Sequence, residues 1–120
     1  MEERINGMKA KTVETYQEWI YIAGDIEQAK QVCREYCMEV GLCVTVEPMT
    51  YVYTGGEEAG MRVGLMNYPR FESDYVVVGD HAFNLAQKLR ERLCQWSFSL
   101  VDREKTTWYS ARPENGVQAD

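Results

Sequence analysis

The sequence predicts an α+β protein: a two-layer ferredoxin-like β-α-β-β-α-β-β sandwich, with an antiparallel sheet and two helices on one face. Three observations predict it. Two segments carry their apolar residues on a single stripe at helical spacing. Five others are rich in β-branched and aromatic residues and alternate in polarity. Their order along the 120 residues is the split βαβ pattern with one closing hairpin. The length suits one domain, expected over residues 12–112, with a flexible extension at 1–11 and a disordered tail at 113–120.

Residues 12–23, TVETYQEWIYIA, read as the first strand, stopped by Gly24 and Asp25. Asp25 followed three residues on by Gln28 is a capping box. Ile26, Ala29, Val32, Cys33, Tyr36, Cys37 and Val40 then form one helical stripe, and Gly41 supplies a left-handed exit. Residues 42–53 form a second strand in which Pro48 marks a bulge or an edge. The glycine-rich GGEEAG reads as a hairpin tip, and MRVGLMNY returns as the third strand. A long connector over 69–79 leads to a second helix capped by Asp80, with Ala82, Leu85, Ala86, Leu89 and Leu93 as its stripe. Trp96, Phe98 and Leu100 alternate in a fourth strand, and TTWYS pairs back as a fifth.

The formal net charge of −6 and pI of about 4.8 argue against a general nucleic-acid binder, which needs a basic patch. Cys33 and Cys37 lie one turn apart on a helix and bridge poorly, so the four cysteines read as free thiols of a reducing compartment. The spacing of Cys33, Cys37 and Cys43 fits no zinc ribbon or finger; no metal and no cofactor are expected. MEERINGMKAK lacks the apolar core of a signal peptide and no run is long enough to span a membrane, which gives a cytoplasmic expectation.

The face that the helices leave open is the most informative feature. The first strand is apolar on both sides, with Tyr16, Ile20 and Ile22 on one and Trp19, Tyr21 and Ala23 on the other. A half-exposed strand should alternate with polar residues. Tyr51, Tyr53, Met66 and Trp108 add to the second side, making an aromatic and methionine patch of the kind that marks an interface. A protein partner and self-association through this face are therefore expected. RNA stacking fits less well, because Glu14, Glu18 and Glu47 share these strands and the glycine-aromatic motif is absent.

No catalytic constellation is legible. His81, the single histidine, is placed at a helix start with no orienting acid, and GGEEAG carries acids where a phosphate loop needs lysine. The connector NYPRFESDY is the best small-ligand candidate: Arg70 offers a planar fork to an anion, with Asn67, Tyr68, Phe71 and Tyr75 beside it. The favoured reading of the same residues is a core plug, with Phe71 and Tyr75 capping the core and Arg70 paired to Glu72 or Asp74.

Short, acidic, with one α+β domain and no catalytic signature, the chain resembles small accessory proteins of bacteriophages and mobile elements. That resemblance implies a counter-defence role, either blocking a host complex or sequestering its nucleotide signal. The expectation from sequence is thus a non-enzymatic inhibitor that binds a host protein complex, with an oligomeric small-ligand or nucleotide-binding module as the alternative.

Overall fold

The computed structural model describes residues 2–113, so the tail expected over 113–120 lies, but for its first residue, outside the described residues. Ten elements follow one another: strands β1 (Glu2–Ile5), β2 (Met8–Lys11) and β3 (Gln17–Ala23), helix α1 (Ile26–Val40), strands β4 (Thr45–Tyr53) and β5 (Gly56–Met66), a 3₁₀ turn (Pro69–Phe71), helix α2 (Tyr75–Arg92), and strands β6 (Ser97–Asp102) and β7 (Thr106–Ser110). β1 and β2 form a separate hairpin, and the other five strands make one antiparallel sheet in the order β4-β5-β3-β6-β7. That order is compatible with the ferredoxin-like sandwich that the sequence predicts, extended by β7 at one edge.

The two stripes explain why both helices lie on one face. Ala29, Val32, Cys33 and Tyr36 of α1 and Val78, Ala82, Leu85, Ala86 and Leu89 of α2 bury against Ile20, Ile22, Met61, Val63, Phe98 and Leu100 of the sheet. Burying each large apolar side chain contributes about 1.5–3 kcal/mol, and these contacts set the layer order. α1 ends as its sequence dictates: the Asp25 carboxylate accepts from Gln28 N at 2.9 Å, and Gly41 leaves with φ 71°.

Two boundaries differ from the sequence reading. α2 begins at Tyr75, capped by Asp74, whose carboxylate accepts from Val77 N at 2.9 Å. Asp80 and His81 therefore sit inside the helix. There the His81 ring meets the Tyr36 hydroxyl at 2.6 Å and ties α2 to α1. GGEEAG is mostly strand: only Thr54 and Gly55 turn, and Tyr53 pairs with Gly56.

All four cysteines are free. Among the described residues no group of three or more His, Cys, Asp or Glu side chains is placed to hold a metal, and no helix is long and apolar enough to cross a membrane.

Candidate functional site

Register assembles the open face. Tyr21 of β3 pairs with Arg62 of β5 and Ser99 of β6; Arg62 pairs in turn with Glu47 of β4, and Ser99 with Trp108 of β7. Directly opposed residues share a face. Glu47, Arg62, Tyr21, Ser99 and Trp108 thus form one row across five strands, roughly 19 Å long at the usual spacing of about 4.8 Å. A parallel row runs Thr45, Gly64, Trp19, Val101 and Thr106.

Arg62 is the polar centre. Its guanidinium lies 5.7 Å from the Trp19 ring and 5.9 Å from the Tyr21 ring. It is 2.8 Å from the Glu47 carboxylate and donates to the Tyr21 hydroxyl at 3.2 Å. These partners keep the guanidinium firmly protonated, the Tyr21 bond foremost and Glu47 next. The ion pair is partly open to water, so its role is to hold a flat, fixed donor fork rather than to stabilise the fold.

Two glycines make room for rings on this face. A Cβ on Gly60 would stand 2.5 Å from the Tyr51 ring, and one on Gly64 would stand 3.4 Å from the Trp19 indole nitrogen. The rings lie over bare backbone, and the Tyr51 hydroxyl donates to Met61 O. Beside them Tyr21, Tyr51 and Trp108 wall a slot of about 240 Å³ whose floor is Ala23, Ser97 and Ser99. Gln95 and Glu58 stand at its polar end, and the Gln95 amide nitrogen donates to Leu93 O at 3.3 Å, which leaves its oxygen as an acceptor. Aromatic walls, small floor residues and a few polar groups are the make-up of a small-molecule site.

The structure brings together three of the six sheet-face residues read from sequence, Tyr21, Tyr51 and Trp108. Trp19 and Met66 border a neighbouring hollow of about 170 Å³ that also includes Tyr68. Tyr53 lies at the β4–β5 turn against Gly56.

The connector residues are dispersed. Asn67 is buried and acts as a clamp: its amide nitrogen donates to Glu14 O at 2.7 Å, and its oxygen accepts from Ser73 N at 2.8 Å. Phe71 lies 6.2 Å from Tyr68 and lines a groove beside α1, whereas Tyr75 packs edge-on against Tyr16 at 5.8 Å. Arg70 is exposed. The pairing expected for it is replaced, because Glu72 reaches Lys11 at 3.6 Å and Asp74 caps α2.

Sequence reasoning missed a second feature, on the helix-covered side. Glu18 of β3 sits directly opposite Asp102 of β6, a like-charge pair at the end of the core. Asp102 stays ionised: it accepts from Glu104 N at 2.7 Å and Lys105 N at 2.9 Å, and these bonds pull its pKa down. Tyr75 reaches the same carboxylate with a long bond of 3.5 Å. Partial burial, and then Asp102, push Glu18 up to about 7, against a small opposing pull from Lys105. A carboxyl raised in the fold binds its proton more tightly folded than unfolded. Its contribution to stability is therefore full below its ordinary value of 4.5 and is lost as pH rises towards 7. Glu18→Gln, which mimics the protonated acid, should melt with the wild type at pH 5. At pH 8.5 it should melt above it, by about 1–2 kcal/mol once solvent screening is allowed for. Paired melting curves at the two pH values check this, and an equal offset at both would count against the raised carboxyl.

No family model and no curated protein matches the sequence. Two solved structures share its fold. One is a phage SAM lyase in the apo state, 14% identical over 83% of this chain and 92% of that one, with a TM-score of 0.60. The other is a phage SAM lyase in complex with S-methyl-5′-thioadenosine, 14% identical over 81% of this chain and 90% of that one, with a TM-score of 0.56. These likenesses overturn two expectations, that the chain is a non-enzyme and that it is an inhibitor docking on a host protein complex. The missing catalytic motif had carried the first, and the apolar face, the acidic charge and the resemblance had carried the second, yet the same architecture serves an enzyme. What the chain shares with phage SAM lyase is its fold.

Proposed function

We propose that this chain binds S-adenosylmethionine on the open face of its sheet and cleaves it as a lyase. The observation that carries the reading is the row from Trp108 through Ser99 and Tyr21 to Arg62 and Glu47. The order of groups along the row matches the order along the molecule. Adenine stacks in the Tyr21–Tyr51–Trp108 slot, and the Gln95 oxygen accepts from its exocyclic amine. Adenine covers the Ala23 and Ser97 part of the floor, beside Gln95, and the ribose lies over Ser99. The sulfonium rests against the Tyr21 ring, whose face attracts a cation. Arg62 takes one oxygen of the amino-acid carboxylate, and Glu47 takes the ammonium. The likeness to a SAM lyase with S-methyl-5′-thioadenosine bound supports the same class of ligand.

The chemistry asks little of the protein. The bond from sulfur to the γ-carbon breaks and its electron pair stays on sulfur, which departs as the neutral thioether S-methyl-5′-thioadenosine. The free oxygen of the substrate's own carboxylate closes onto that carbon and balances the fragment. Two opposite charges disappear, so the apolar faces of the Tyr21 and Trp19 rings beside Arg62 favour the step over bulk water. An internal displacement needs no protein base. This agrees with the placement of Glu18, the carboxyl poised near neutrality, on the opposite face of the sheet.

Incubation of the purified chain with S-adenosylmethionine should release S-methyl-5′-thioadenosine, followed by liquid chromatography and mass spectrometry. Calorimetry runs alongside. Tight binding without release would leave a sequestering module and sink the lyase; neither binding nor release would sink the site.

A further inference from the structure

The β1–β2 hairpin is built like an arm. Asn6 and Gly7 turn it with φ 51° and 80°, as a two-residue hairpin loop requires. Its strands pair only with each other, and Lys11–Glu72 at 3.6 Å ties its base to the body. The molecule measures 60 × 28 × 27 Å, and its radius of gyration of 16.5 Å exceeds the roughly 13.6 Å of a compact domain this long. With four residues in each strand, the arm projects roughly 13 Å beyond its tied base, about half the width of the body.

Register makes the arm two-faced. Glu3 opposes Ala10 and Ile5 opposes Met8, so these four share a face, while Arg4 and Lys9 oppose each other on the back. The apolar face is open to water, with Ile5 50% and Met8 65% exposed. A lone two-stranded hairpin is marginal in water, and an apolar face on one gains only when something covers it.

The body carries a surface of matching chemistry. A groove of about 500 Å³ runs between α1 and β4, floored by Cys33, Cys37, Leu42, Val44 and Val46 and closed at one end by Phe71. Lys30 and Arg34 stand on its rim. β4 is an edge strand of the sheet, so one side of its backbone is free to pair.

We infer that the arm of one copy docks in the α1–β4 groove of a second copy, with Ile5 and Met8 in the apolar floor and Glu3 against Lys30 and Arg34. The arm stands clear of its own body by roughly 13 Å, its face is apolar with one acid, and the groove is apolar with two bases. This inference does not rest on the proposed activity.

The test is a mixture of isotopically heavy and light full-length chains carrying Met8→Cys, given a mild oxidant and read by peptide mass spectrometry. Heavy-to-light disulfides from position 8 to Cys33, Cys37 or Cys43 are expected. Links confined to one chain would mean that the arm folds back on its own body, and links to the exposed Cys94 would mean a different contact; either overturns the inference. In parallel, light scattering of the unmodified chain at high micromolar concentration should show an oligomer that Met8→Asp dissociates without change in circular dichroism. A wild-type monomer, or an oligomer indifferent to Met8→Asp, also overturns it.

Discussion

Gly60→Ala should lower stability by about 2–3 kcal/mol, the upper part of the range for forcing extra atoms into a packed site. The added carbon would meet Ile22 O at 2.5 Å, the Ala23 Cα at 2.8 Å and the Tyr51 ring at 2.5 Å. Two of these three are backbone of β3, the central strand, at the residues where it pairs with β5 itself. The strand cannot move aside without opening a ladder. For a chain of this length the melting temperature should fall by roughly 8–12 °C. Gly64→Ala is the internal control, because its nearest obstacle is the Thr45 hydroxyl at 2.5 Å, the end of a side chain that can rotate. Thermal melts of both variants should separate clearly, and a Gly60→Ala protein melting with the wild type would show that the Tyr51 side of the face is looser than described.

Trp108→Ala has the opposite signature. The indole is 54% exposed on edge strand β7, so its removal should leave the melting curve nearly in place. Base–aromatic stacking contributes about 1–3 kcal/mol per base, so affinity for S-methyl-5′-thioadenosine should fall roughly tenfold to a hundredfold. Titration calorimetry with that nucleoside reads the change directly, and unchanged affinity would remove the slot from the ligand's path. The pair of variants separates what builds the face from what occupies it.

The fold was largely legible because its signals are periodic and local. The α1 stripe, Asp25 and Gly41 fix that helix with no tertiary help. The start of α2 was not legible, since Tyr75 to Gly79 is a β-branched run with a glycine, whose local preference is extended. Packing of Val78 under the helix overrides it. Glycines misled at Gly56 to Gly60 for a related reason: they signal a loop, while the need for one beneath Tyr51 exists only in three dimensions. The Asn6-Gly7 hairpin signal was plain in the sequence but stood in a segment assigned to a flexible extension. Of the open face, residue types were readable and the row was not. That Trp108 lines up with Arg62, or Glu18 with Asp102, follows from strand register across distant segments, which no local pattern states.

The position of β3 at the middle of the sheet also sets a timetable. Its partners are far along the chain: Ile20 pairs with Val63 on one side and with Leu100 on the other. Contacts of such long sequence separation slow folding, because the closing loop must be ordered before the ladder rewards it. On a ribosome adding roughly 5–20 residues each second, β3 waits about 4–16 s for β6 to be made. Until β5 is made Trp19 and Tyr21 belong to a strand with two free edges, and from then until β6 is made one edge stays open to pairing with other chains. A nascent chain halted just after α2 should therefore aggregate or recruit a chaperone, whereas one extended through β7 should close its sheet on release.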